Sequence, residues 1–161
     1  MPHPIVELLK PLPSGGGFDF THCLHATSIA VDGKGLLITG PSGSGKSALA
    51  LDILSRGGAL VADDQTLLRA EHGTLIANAH PRIMGQIEAR GLGVLKALPN
   101  GPTPIYGLVD LSQSQDKRLP NRLNLTLLGV ELPLFLGLPY PHQAPALMQF
   151  LRHGWAQTKD V

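Results

Sequence analysis

Gly40-Pro41-Ser42-Gly43-Ser44-Gly45-Lys46-Ser47 is the stretch on which the fold of this chain turns. Its outer glycines, lysine and serine stand at the spacing of a phosphate-binding loop. The apolar run Leu36 to Ile38 leads into it as a buried strand, and Lys46 to Arg56 leaves it as a helix with Ala50, Ile53 and Leu54 on one stripe. Backbone N–H groups and the positive end of that helix therefore converge on one point, where phosphate oxygens would be held. Glycine is needed because the backbone must take positive φ and approach the oxygens closely. In such a loop Lys46 reaches the β- and γ-phosphates and the Ser47 hydroxyl ligates Mg²⁺. All eight residues from Gly40 to Ser47 form the candidate nucleotide site, and the strand-loop-helix order predicts an α/β domain.

Upstream, Ser28 to Asp32 reads as a strand and Gly33-Lys34-Gly35 as the turn of a hairpin with Leu36 to Thr39. The residues before it differ in composition. Pro2, Pro4, Pro11, Pro13 and Gly15-Gly16-Gly17 resist helix and sheet alike, so residues 1–22 are expected to be a mobile arm and 23–161 the single domain. Downstream, the helix stops at Gly57-Gly58, and Ala59 to Ala62 is a second buried strand ending at Asp63-Asp64. Thr66 to Arg69 and Thr74 to Ala77 form a further hairpin about Glu71-His72-Gly73. Ile105 to Leu111 and Leu123 to Leu128 are additional strands, and Gln143 to His153 is a terminal helix.

Composition narrows the function classes. The chain has 161 residues, enough for one domain with a real core, and 13 Lys and Arg against 12 Asp and Glu. A net charge of +1 and 4% aromatic residues argue against a nucleic-acid binder, which needs basic charge or stacking platforms. The lone Cys23 cannot form an intrachain disulfide and reads as a small buried hydrophobe in a reducing, cytoplasmic setting. Leu127 to Leu138 is too short and too broken by Glu131 and Pro133 to cross a membrane.

Two more segments carry chemistry. Asp63-Asp64 closes an apolar strand, at the edge of an open α/β sheet where ligands bind. Neighbouring strand residues face opposite ways, so one carboxylate could take a proton from an attacking hydroxyl while the other assists the metal. In Ile87-Glu88-Ala89-Arg90-Gly91-Leu92-Gly93-Val94, an extended backbone puts Glu88 and Arg90 on one face, an acid for metal and a base for phosphate. Taken alone this segment also fits an exposed strand edge followed by a turn.

Together the three segments resemble the C-terminal catalytic domain of the HPr kinase/phosphorylase family. That family has an α/β phosphate-loop kinase core of the phosphoenolpyruvate carboxykinase type, a mixed sheet with few helices. The likeness runs from about Cys23 to Leu138 and rests on His25, Gly40 to Ser47, Val61-Ala62-Asp63-Asp64, and Ile87 to Val94, which is the family's own signature. It implies an ATP- and Mg²⁺-dependent serine kinase acting on HPr, the phosphocarrier of a bacterial phosphotransferase system, and phosphorolysis of phosphoserine in reverse. Asp63 is then the base that takes the serine proton, with Lys46 and a neighbouring His25, while Ser47, Asp64 and Glu88 lie at the metal. Homo-oligomers, as hexamers, are implied as well.

The chain departs from the family at Ala48, where a Glu is frequent, at Ala89, where Ile is usual, and before the terminal helix, where Leu138-Pro139-Tyr140-Pro141-His142-Gln143 replaces a basic Gly-Arg-Asn segment. Arg118 and Arg122 are the candidates to restore that charge, with Arg122 taken as catalytic. Longer relatives carry an additional N-terminal domain, so a catalytic core without it is expected. Two rival readings fit the same residues: a related kinase with another substrate, and an ATP-sensing module without catalysis. Asp63→Ala separates them, because only an enzyme has transfer to lose.

Overall fold

The computed structural model describes residues 3–13 and 19–156. Its strands are β1 (Leu9–Pro11), β2 (His22–Leu24), β3 (Thr27–Val31), β4 (Lys34–Thr39), β5 (Ala59–Ala62), β6 (Thr66–Glu71), β7 (Thr74–Asn78), β8 (Gln86–Ala89), β9 (Gly93–Lys96), β10 (Thr103–Ser114), β11 (Leu123–Leu127) and β12 (Val130–Gly137). The α-helices among these residues are α1 (Lys46–Ser55) and α2 (Gln143–His153). One mixed sheet runs β1-β2-β6-β7-β10-β4-β3-β5, with β12 beside β10 and β11 beside β12, while β8 and β9 form a separate hairpin. The expected α/β core, mixed in its sheet and poor in helices, is what the chain adopts.

The run Leu36-Leu37-Ile38 is apolar throughout because both faces of β4 are covered. Leu36 and Ile38 pack with Ile53 of α1 and Leu147 of α2, whereas Leu37 joins Leu68, Leu75, Leu125 and Leu134 on the other side. Neighbouring β3 alternates in the same way, Ile29 and Val31 toward the helices and Ala30 away.

Strand directions then set the site. β4 is parallel to β10 and antiparallel to β3, which is antiparallel to β5, so β4, β5 and β10 end at the same edge. The phosphate loop after β4 and the Asp pair after β5 share that edge, as ligand sites do in open α/β sheets.

The link from α1 to β5 is tight. Arg56 caps the helix, Gly57 takes φ 100°, and the Gly58 N–H donates to the Ile53 carbonyl at 3.0 Å. A Cβ at Gly58 would lie 2.7 Å from Ile53 Cγ2, 3.1 Å from the Ile53 carbonyl oxygen and 3.2 Å from that of Ala30. Gly58→Ala is therefore expected to destabilise the domain by about 1–3 kcal/mol. Thermal unfolding should show it as a Tm lower by several degrees.

The arm expected over residues 1–22 differs in its described parts. Pro4–Leu8 forms a 3₁₀ turn with Ile5 buried, and Leu9–Pro11 pairs antiparallel with His22–Leu24. Ile5 sits in the cluster of Leu24 and Leu68, and that burial outweighs the local preference of the prolines. The Gly15-Gly16-Gly17 run lies outside the described residues. Leu127 to Leu138 holds a strand that its composition hid. Leu128 and Gly129 turn with φ 50° and 78°, and β12 returns along β11 with Pro133 opposite Asn124. No helix among the described residues is long and apolar enough to cross a membrane. Partial burial pushes the Cys23 thiol above its ordinary pKa, which favours the protonated form.

Candidate active site

A cleft of about 760 Å³ opens over the phosphate loop, lined by Ser42, Gly43, Gly45, Lys46 and Ser47, by His25, Asp63 and Asp64, and by Glu88 and Arg90. Three segments far apart in sequence thus meet in one place, as their resemblance implied.

Within the loop, Gly40, Gly43 and Gly45 have φ of 151°, 83° and 100°. At Gly40 the requirement is also steric, since a Cβ there would meet the Ser44 hydroxyl and Leu111 Cβ. Lys46 is buried, and its ammonium donates to the carbonyls of Gly40 (2.8 Å) and Pro41 (3.3 Å), with no carboxylate partner among the described residues. The Ser44 hydroxyl is buried with no partner among the described residues. A buried cation neutralised only by carbonyl dipoles, beside an unused hydroxyl, is a donor set that suits an anion.

The two aspartates part company. Asp63 is half-buried and takes three donors: the hydroxyls of Ser47 (2.9 Å) and Thr27 (3.1 Å) on Oδ1, and the Glu88 N–H (2.9 Å) on Oδ2. It ties loop, β3 and β8 together. Asp64 has φ 65°, so the chain turns out of the strand there, with its N–H donating to the Thr27 hydroxyl at 3.1 Å. Its Oδ1 lies 2.7 Å from His25 Nε2, and both side chains are at least half exposed.

This corrects one expected neighbourhood: His25 stands against Asp64 instead of Asp63. Ser47, expected at the metal together with Asp64 and Glu88, has its hydroxyl joined to Asp63. The left-handed turn at Asp64 is the cause, because it moves the second carboxylate away from the helix N-terminus. Thr27, which the sequence reading passed over, bridges both aspartates. Only its place next to β5 reveals it.

Glu88 and Arg90 both line the cleft, with Arg90 near enough to the loop that a Cβ on Gly43 would lie 3.9 Å from its guanidinium. Arg90 has no carboxylate partner among the described residues. Arg122 does not reach this cleft. Its guanidinium stacks 4.3 Å over the Trp155 ring in a second groove with Leu123, Leu134 and Leu136, where the aromatic face holds it. Arg118 is exposed and lines neither groove.

Among the described residues no cluster of three or more His, Cys, Asp or Glu could hold a metal unaided. The donors present, the Ser47 hydroxyl and the carboxylates of Asp63, Asp64 and Glu88, suit Mg²⁺, which is commonly held by one or two carboxylates together with phosphate oxygens.

The HPr Serine kinase C-terminal domain model matches residues 18–126. This chain belongs to that family. The HPr kinase/phosphorylase of Clostridium botulinum (strain Eklund 17B / Type B) is 38% identical over 96 residues, 60% of this chain and 30% of the relative. That of Chlorobaculum tepidum is 38% identical over 124 residues, 68% of this chain and 36% of the relative. The chain thus spans about a third of the length of these family members. The solved Hpr(Ser) kinase/phosphatase of Coxiella burnetii superposes with a TM-score of 0.68 at 24% identity, covering 81% of this chain and 93% of that one, and so shares the fold.

Proposed function

We propose that this chain is an ATP-dependent serine kinase acting on HPr. The observation that carries the reading is the split of the Asp pair in the cleft over the phosphate loop: one carboxylate is bound to the loop's Ser47, and the next is turned out beside a histidine. MgATP, when bound, supplies the γ-phosphoryl group and the metal charge that steadies it. Gly40 to Ser47 would hold the phosphates, Lys46 exchanging its carbonyl partners for phosphate oxygens. Ser47, Asp63 and Glu88 would hold Mg²⁺.

Geometry favours Asp64 over Asp63 as the base. Asp63 is held against the phosphate loop by three donors, among them the Ser47 hydroxyl, which suits it to the metal side, whereas Asp64 is turned outward with His25 on one oxygen and no partner on the other among the described residues. Asp64 accepts the serine proton as the hydroxyl oxygen bonds to phosphorus and the bond to ADP breaks, and His25 orients the carboxylate. Arg90 offsets charge on the phosphoryl oxygens. HPr as substrate puts the reaction in the cytoplasm, and the resemblance implies assembly of the chain into hexamers.

Incubation with labelled ATP, Mg²⁺ and HPr tests this. Label on a serine of HPr is the expected outcome, and phospho-HPr with excess inorganic phosphate tests the reverse direction. Label on another protein instead would remove HPr and spare the kinase, while ATP binding with no transfer to any protein would leave the sensor reading. Arg90→Ala is expected to lower kcat about tenfold, the worth of one charged hydrogen bond, with Tm unchanged because the side chain is exposed.

A further inference from the structure

The hairpin beside the cleft exposes more apolar surface than its packing needs. Leu92, Val94 and Leu98 are 75%, 66% and 79% exposed. Register explains which way they face. In the β8–β9 pair Ile87 lies opposite Leu95 and Glu88 opposite Val94, and directly opposed residues project from one face. Ile87 is buried in the core beneath, with Leu95 packed against it. Glu88 and Val94 therefore share the outward face, and Glu88 lines the cleft. Val94 stands at the cleft's rim, with Leu92 in the turn before it and Leu98 just beyond β9.

We propose that Leu92, Val94 and Leu98 form the surface on which the protein acceptor docks, through apolar side chains that flank its serine. This rests on the kinase reading. The patch is continuous with the transfer site through Glu88, so an occupant of Val94 also covers the mouth of the cleft. A permanent second copy there would bar the acceptor. Three aliphatic side chains also fall far short of the roughly 20–30 residues a side of a stable interface. A transient occupant fits both facts. Exposed apolar patches mark protein-binding surfaces, and the pairing of Val94 with the cleft residue Glu88 sets this one beside the cleft that Asp64 lines.

The test uses the full chain carrying Leu92→Ser, Val94→Thr and Leu98→Ser, changes that leave the β8–β9 backbone pairing and its buried face untouched. With HPr as acceptor, its KM is expected to rise about tenfold or more. The kcat at saturating HPr and the affinity for a fluorescent ATP analogue should stay within about twofold. An unchanged KM overturns the docking surface and leaves the kinase standing. Loss of subunits by light scattering overturns it too, by making the patch a contact between copies. A wild type that transfers nothing to HPr defeats the kinase reading first, and the docking surface with it. Should the triple variant fail to fold, Leu92→Ser alone, in the exposed turn, gives the same reading.

Discussion

Asp64→Asn should cut transfer to HPr by about 10³-fold while ATP affinity stays within about twofold. The amide keeps the size of the carboxylate and can still meet His25, but it cannot take the serine proton. Among the described residues the Asp64 side chain has His25 as its hydrogen-bond partner, and none in the phosphate loop. Stability should hardly move, because the residue is exposed and an exposed pair contributes little. Single-turnover transfer alongside ATP titration measures both quantities. Equal loss of binding and transfer would return the base to Asp63.

Asp63→Asn is expected to weaken MgATP binding by about 10²-fold and to lower stability by about 1–3 kcal/mol. The Asp63 side chain accepts on both oxygens, two hydroxyls on Oδ1 and the Glu88 N–H on Oδ2. An amide can keep this geometry only by turning its oxygen to the Glu88 N–H and donating from its NH₂ to the Thr27 and Ser47 hydroxyls. That reverses two bonds, removes the negative charge that strengthens all three, and occupies a lone pair of the Ser47 oxygen that a metal would use. Calorimetric titration with and without Mg²⁺, together with thermal unfolding, reads both effects. The two variants separate the roles: one loses the proton acceptor, the other the metal and loop geometry.

Much of the fold is legible along the chain because it is written in short-range chemistry. Ala59–Ala62 and Gln143–His153 form over the very residues read as strand and helix, since Gly57-Gly58 bounds the first and Pro139-Tyr140-Pro141 precedes the second. Other elements needed partners. β1 has three residues with a proline among them, and it exists because β2 is there to pair with it. Glu131 and Pro133 read as breaks in Leu127 to Leu138, yet Glu131 lies exposed on the solvent side of β12 and Pro133 is accommodated beside β11.

The site divides along the same line. Of the residues the sequence points to, the structure brings Ser42, Gly43, Gly45, Lys46, Ser47, His25, Asp63, Asp64, Glu88 and Arg90 to one cleft, whereas the charge of Arg122 is drawn to the Trp155 ring. Who touches whom was not readable. The sequence alone determined the phosphate loop, because glycine conformations and a helix N-terminus are properties of eight consecutive residues. Tertiary structure decided the division of labour between Asp63 and Asp64. Their partners lie 16 to 39 positions away, on α1, beside β3 and on β8, and no local pattern carries that distance. Only the shared edge of the sheet brings the donors to one aspartate and leaves the other to His25.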